Sequence, residues 1–310
     1  MLLSRAADNI YWGARYLERA DGTARVVRTF TEVLLDLPVG VASSWEPLLA
    51  VAGNRAMYDI THARAHESDV VRFLVADTAN PGSVVSSVAA ARENLRTTRE
   101  VLPREAWQTV NDLHLFVGRE PESGVDRRTR GRFLDRVISE HQRLDGVLAG
   151  AMLRDEAYEL WRLGEAIERA DMTTRVLGVR AAALLAAPEV ADDYDEVQWM
   201  GVLRSLTALQ MYQRSTRGPI DGRSVVSFLL FDRQFPRSVA GCLERMRAAL
   251  ARLPHPERTM PSADAVQRLL SGLRADAGDG AALDAAMDEV QLALAAMNDA
   301  VFGAFVRPAE

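Results

Sequence analysis

Lysine is missing from this chain: all 37 basic residues among 310 are arginine. That excludes Schiff-base chemistry, acylation of a lysine side chain and any phosphate loop that relies on lysine. A GC-rich coding sequence is the simplest cause; avoidance of lysine-directed tagging, or work beside an amide-forming enzyme, is the sharper one. The single cysteine, Cys242, excludes an internal disulfide and a cysteine-rich zinc site. Its setting, Val239-Ala240-Gly241-Cys242-Leu243, is that of a small core residue. No apolar run approaches the roughly 20 residues that cross a bilayer. The opening Met1-Leu2-Leu3-Ser4-Arg5-Ala6-Ala7-Asp8 reaches charge too early for a secretory signal, so the expected location is cytoplasmic. A net charge of −6 argues against a nucleic-acid partner. Glycine-rich phosphate loops and Gly-x-Ser-x-Gly elbows are absent.

Histidine is scarce, at five residues. His62 and His66 are four apart and, on one helix, could share a metal; a satisfied or exposed pair is the simpler reading. Glu140-His141 and His66-Glu67 lack the Glu-x-x-His spacing of a di-iron bundle. No cofactor and no metal is therefore expected.

What is present is an internal echo. Glu18-Arg19-Ala20-Asp21-Gly22-Thr23-Ala24-Arg25-Val26-Val27 returns 150 positions later as Glu168-Arg169-Ala170-Asp171-Met172-Thr173-Thr174-Arg175-Val176-Leu177, with seven of ten residues identical. Phe73-Leu74, Asp77 and Pro81-Gly82-Ser83-Val84 return as Phe228-Leu229, Asp232 and Pro236-Arg237-Ser238-Val239. Between them Trp45 answers to Trp199 and Met57-Tyr58 to Met211-Tyr212, in the same order. Collinear matches of this kind predict two tandem helical units, residues 1–153 and 154–310, packed as one body.

Helical periodicity runs through nearly every long segment, so the predicted class is all-α with about six helices per unit. They fall near 3–36, 45–56, 67–78, 83–101, 104–117 and 131–151, then near 155–186, 194–214, 223–232, 238–252, 262–274 and 281–304. Breaks are expected at 37–40, 80–82, before Pro103, across 118–131, at 187–188, 218–219, 235–236, 254–261 and 277–280. The polar 118–131 stretch is expected to be mobile. Ser83 and Ser238 each precede an apolar-periodic run, as helix caps do, with a proline two residues earlier to stop the preceding helix.

The candidate site comes from the echo. At 100° per residue, Tyr11, Arg15, Glu18, Gly22 and Arg25 share one stripe about 80° wide. Trp161, Glu165, Glu168, Met172 and Arg175 form the matching stripe. Asp21 and Arg25, and likewise Asp171 and Arg175, are four apart and can pair along their helices. Arg19 and Arg169 flank the stripes. If the helices 3–36 and 155–186 pack together at the centre, Arg15, Glu18, Arg19, Asp21, Arg25, Glu168, Arg169, Asp171 and Arg175 form one polar set. Two readings stand. The set is a partly buried ion-pair network that joins the units. Alternatively it is a pocket in which arginine forks hold a carboxylate or phosphate and a glutamate serves as acid, base or metal ligand. Arg92, which aligns with Arg247, is a possible further member; a solvated helix face is the simpler account.

These motifs resemble the bacterial alpha-E domain family, a helical domain named for its Glu-Arg motif. The resemblance covers essentially the whole chain. It is carried by Ser4-Arg5-Ala6-Ala7-Asp8-Asn9-Ile10-Tyr11-Trp12, Arg15-Tyr16-Leu17-Glu18-Arg19-Ala20, Ala91-Arg92-Glu93-Asn94, Glu168-Arg169-Ala170-Asp171 and Phe228-Leu229-Leu230 with Pro236-Arg237-Ser238. The resemblance implies the company of a circularly permuted ATP-grasp protein and a transglutaminase-like protein, in a peptide-ligating or peptide-modifying system. The chain would be an accessory component that binds the ligase or its peptide substrate. Two alternatives are an enzyme of that system using the Glu/Arg pocket, and a purely structural helical scaffold.

Overall fold

A computed structural model describes residues 4–36, 44–186, 188–273 and 280–305. Among them there are fifteen α-helices, one short 3₁₀ turn (Arg99–Val101) and no strand. In chain order the helices are α1 (Ser4–Asp36), α2 (Glu46–Val51), α3 (Arg55–Thr61), α4 (Glu67–Val75), α5 (Val84–Arg96), α6 (Arg104–Arg119), α7 (Pro121–Val125) and α8 (Arg130–Ala151). Then come α9 (Glu156–Ala186), α10 (Pro188–Ser205), α11 (Leu209–Ser215), α12 (Gly222–Phe231), α13 (Val239–Leu250), α14 (Pro256–Gly272) and α15 (Gly280–Phe305). No helix among the described residues is long and apolar enough to cross a membrane.

The two longest helices form the centre. α1 packs against α5, α8, α9 and α10, and α9 against α1, α13, α15, α2 and α10. A helix enclosed in this way needs small residues where backbones approach and apolar ones between them. On α1 these are Ala7, Ile10, Ala14, Leu17, Ala20, Ala24 and Val27, all buried. On α9 they are Ala157, Leu160, Leu163, Ile167, Ala170 and Leu177. One apolar core runs from Ala7 to Val301.

The two helices run in the same direction. A side chain at Gly164 would meet the Tyr11 carbonyl, and one at Gly22 would meet Met172. Around them the capping serines do what their position suggests. The Ser83 hydroxyl accepts from the Ser86 amide at 3.1 Å and Ser238 from the Gly241 amide at 2.9 Å. Asp77 accepts from the Ala79 amide, and Asp232 from the Gln234 and Phe235 amides, so both orient turns.

The described residues hold more helices than the twelve expected. The run 45–56 breaks at Gly53, which takes φ +69°. The run 194–214 breaks at Thr207, held at φ +55°. The 118–131 stretch contains α7, and Gly124 sits buried between Val75 and Phe133. Its charges are used: Arg72 pairs with Glu122, and Arg127 and Arg130 with Glu67. The helix expected at 262–274 starts earlier, at Pro256. Breaks placed at 37–40, 187 and 277–279 lie outside the described residues.

Candidate functional site

The polar set is brought together at the α1–α9 contact, and the pairing there is reciprocal. Arg169 donates to Glu18 through Nε at 2.9 Å and Nη2 at 2.7 Å. Arg19 donates to Glu168 through Nε at 2.5 Å and Nη2 at 3.1 Å. Each is the two-pronged guanidinium–carboxylate geometry that makes such pairs strong and directional. The surroundings of the two forks differ, and that difference divides the predicted residues.

The Glu18 half is closed around Glu18 and Asp21, with Asp145, whose side chain is 35% exposed, at its edge. Glu18 is 2% exposed and Asp21 0%. Arg237, from the turn before α13, donates to Glu18 at 2.7 Å and to Asp21 at 3.0 Å. Arg25 donates to Asp21 at 2.7 Å and to the Thr207 hydroxyl at 2.5 Å. His141 of α8 lies 3.6 Å from Glu18 and 3.9 Å from Asp21 and from Asp145. Arg169 also pairs with Glu165 and approaches Asp145 at 3.6 Å. Burial disfavours the Glu18 carboxylate, but Arg169, Arg237 and His141 outweigh it and hold its pKa well below the usual range. Burial likewise opposes charge on His141, yet Asp145, Asp21 and Glu18 together raise its pKa above the ordinary imidazole value. Glu165 goes the other way: burial dominates, aided by Asp145 and Glu18, and its pKa is raised.

The charges explain these directions. Four carboxyl groups (Glu18, Asp21, Asp145, Glu165) face three guanidinium groups (Arg25, Arg169, Arg237), and a protonated His141 or a protonated Glu165 removes the imbalance. Glu18, Asp21 and His141 are also close enough to hold a metal. The donor set does not suit one. Both Glu18 oxygens already accept from guanidinium groups that would repel a dication, whereas an imidazolium fits without displacing them.

This arrangement sets a pH dependence. A folded-state pKa raised above the unfolded value contributes stability that is complete below the unfolded pKa and is lost as pH rises through the folded one. The stability difference between the native chain and His141→Gln is therefore expected to be largest below the ordinary imidazole pKa and to shrink as the pH rises through the raised pKa of His141, measured by urea denaturation. A difference that is flat with pH would remove the charged imidazole from this account.

The Glu168 half is open. Glu168 itself is buried, at 4% side-chain exposure, but Arg19, which closes it, is 27% exposed, and Arg15, although largely enclosed, borders a cleft. Arg15 donates to Glu168 at 2.8 Å and to Asn298 of α15 at 2.6 Å, and Tyr11 donates to the same Asn298 oxygen at 2.8 Å. Trp12 and Tyr16 back the guanidinium groups, with Arg15 4.7 Å above the Trp12 ring and Arg19 5.5 Å above Tyr16. Burial opposes the Glu168 carboxylate, but Arg19 and Arg15 keep its pKa below the usual range. Burial moves the Tyr11 hydroxyl up to about 12. Further along α9, Arg175 pairs with Asp171 at 2.7 Å. Its guanidinium lies over Gly53, where a side chain would displace it. Arg15, Arg19, Asp171 and Arg175 line a cleft of about 490 Å³ whose other wall is α15, with Asp288, Gln291, Leu292 and Asn298.

Of the nine predicted residues, Glu18, Asp21, Arg25 and Arg169 form the closed half. Arg15, Arg19, Glu168, Asp171 and Arg175 form the cleft side. Other candidates stand apart. His62 ends α3 and stacks on Tyr58, while His66 precedes α4, so the two do not share a helix. Arg92 bonds Asn111 and covers Trp107, and Arg247 pairs with Asp264; neither reaches the seam. Cys242 is buried, and burial pushes its thiol up to about 12.

Sequence reasoning missed Arg237, His141, Asn298 and Asp145. Two of them left a trace. Arg237 stands in the echoed Pro-x-Ser, where the first copy has Gly82. His141 interrupts the buried stripe Leu134, Val137, Ile138, Leu144 and Leu148 of α8, where a polar residue needs a partner. Asn298 and Asp145 show nothing comparable along the chain.

An all-helical protein organised round a reciprocal arginine–glutamate seam is what fold and site define. The chain belongs to the Alpha-E family, described as "a predicted alpha-helical domain with a conserved ER motif", whose profile matches residues 2–306. It is 27% identical over 278 residues to an uncharacterized protein of Mycobacterium bovis and equally to one of Mycobacterium tuberculosis. A further uncharacterized M. tuberculosis protein is 26% identical over the same length. In each case 81% of this chain is covered but only 30% of the relative, so the chain spans under a third of the curated relatives it matches. No solved structure matches.

Proposed function

We propose that this chain is a duplicated helical unit, residues 1–153 and 154–310, that serves as a binding component of an ATP-grasp-dependent peptide-ligating or peptide-modifying system. Its partners there are a circularly permuted ATP-grasp protein and a transglutaminase-like protein, and it acts in the cytoplasm. The reciprocal forks, Arg19 on Glu168 and Arg169 on Glu18, support the duplication: equivalent residues exchange partners as they do across a twofold axis. The curated relatives, more than three times as long as their matched segment, have room for a second activity in one chain.

One observation carries the binding role. Both oxygens of each seam glutamate already accept from arginine side chains, which also hold the two carboxyl groups below their usual pKa range, so neither offers a free oxygen to take up a substrate proton. The arginines on the open side still present charged edges to a cleft of ligand size. The enzyme reading finds its best candidate in Glu165, whose raised pKa leaves it able to carry a proton.

Reconstitution tests this. The chain, its ATP-grasp neighbour and candidate peptides are mixed, and ATP-dependent mass shifts are measured. Product is expected only in the mixture. A ligase equally active without this chain overturns the proposal, and turnover by this chain alone transfers the role to the enzyme reading.

A further inference from the structure

We infer that the cleft takes a short peptide with both ends free, its carboxylate against Arg15 and Arg19 and its ammonium against Asp288. The inference deepens the binding role just proposed and rests on it for the cleft being a binding site.

The cleft has two electrically different ends. α15 runs opposite to α9: Gly178, late in α9, faces Asp284 and Met287, early in α15. Asn298, late in α15, meets Arg15, which is bonded to Glu168 near the middle of α9. Arg15, Arg19 and Asn298 therefore mark one end and Asp288 the other, with the Asp171–Arg175 pair between them, neutral in itself and close enough to act on Arg15. Among the lining groups of the first end two guanidinium groups share one carboxylate, Glu168, leaving one positive charge in excess. At the second, Asp288 supplies one negative charge in excess. Three arginines against three carboxylates sum to zero.

Length follows from the helix. Asp288 and Asn298 are ten residues apart on α15, about 15 Å at the helical rise of about 1.5 Å per residue. An extended chain advances roughly 3.3–3.6 Å per residue, so charges that far apart belong to the ends of a peptide of about four residues. A free amino acid carries its two charges too close together to reach both ends. A phosphate ester brings negative charge into a neutral cleft and has nothing to offer Asp288. Leu292, 70% exposed, gives apolar surface to a side chain, over the buried Ile167 and Leu294.

Calorimetric titration of the full chain with tetraalanine tests the assignment. The free-ended peptide is expected to bind. N-acetylation and C-amidation are each expected to weaken it about tenfold, the loss of one charge-assisted contact. Asp288→Asn, on an exposed helix face, should erase the penalty for acetylation and keep the penalty for amidation. No binding of the free peptide at about 10 mM, equal binding of capped and free forms, or displacement by inorganic phosphate would overturn the inference. If tetraalanine fails while the reconstituted mixture still needs this chain, the ligand assignment falls and the accessory role stands. If tetraalanine binds as expected while the ligase works without this chain, the accessory role falls alone.

Discussion

Glu18→Gln is expected to destabilise the chain by about 3–5 kcal/mol in urea denaturation: the charge of the set then balances, but the carboxylate on which Arg169 and Arg237 both close is lost and an amide donor is set against their N–H groups. Arg169 and Arg237 are both bonded to Glu18 and both largely enclosed, at 7% and 12% side-chain exposure. Glutamine keeps the volume and one acceptor, so the loss is the carboxylate and not a cavity. Glu168→Gln is expected to cost less, about 1–2 kcal/mol, because Arg15 and Arg19 can turn toward the water of the cleft. The contrast between two positions with the same sequence context is the informative measurement. Equal losses would show that the halves are equally closed, and an unchanged Glu18→Gln protein would return Glu18 to the list of catalytic candidates.

Gly164→Ala is expected to destabilise by about 1–3 kcal/mol, although alanine normally strengthens a helix. The added Cβ would stand 2.5 Å from the Tyr11 carbonyl oxygen, and backbone cannot step aside as a side-chain end can. α1 has to retreat from α9, which also pulls Arg15 off Glu168 and opens the cleft. Gly146→Ala is the control: on α8, with nothing within 4 Å, it should gain about 0.5–1 kcal/mol. Thermal melts of both variants give the comparison. A Gly164→Ala protein as stable as the native one would mean that the central helices have slack that their packing does not show.

Much of the helix layout was legible along the chain because helical periodicity and serine caps are local signals. α1 and α9 were placed to within one or two residues, since long enclosed helices repeat their small and apolar residues without interruption. α3, α7 and the division of α10 from α11 were not legible. They depend on backbone turns at Gly53 and Thr207, and on Gly124 fitting between Val75 and Phe133, which no local pattern announces. The family and the seam residues could be read because the Glu-Arg motif occurs twice.

By themselves the residues determined the all-helical class, the family and the Glu-Arg pairs of α1 and α9, because each rests on spacing along one helix or on a motif repeated within the chain. Only the tertiary structure decided which half of the seam is closed. Arg237, from the turn before α13, and His141, from α8, close over Glu18, while α15 leaves Arg15, Arg19 and Arg175 lining a cleft. Whether a charge is buried depends on what packs over it, and that covering comes from segments more than a hundred residues away.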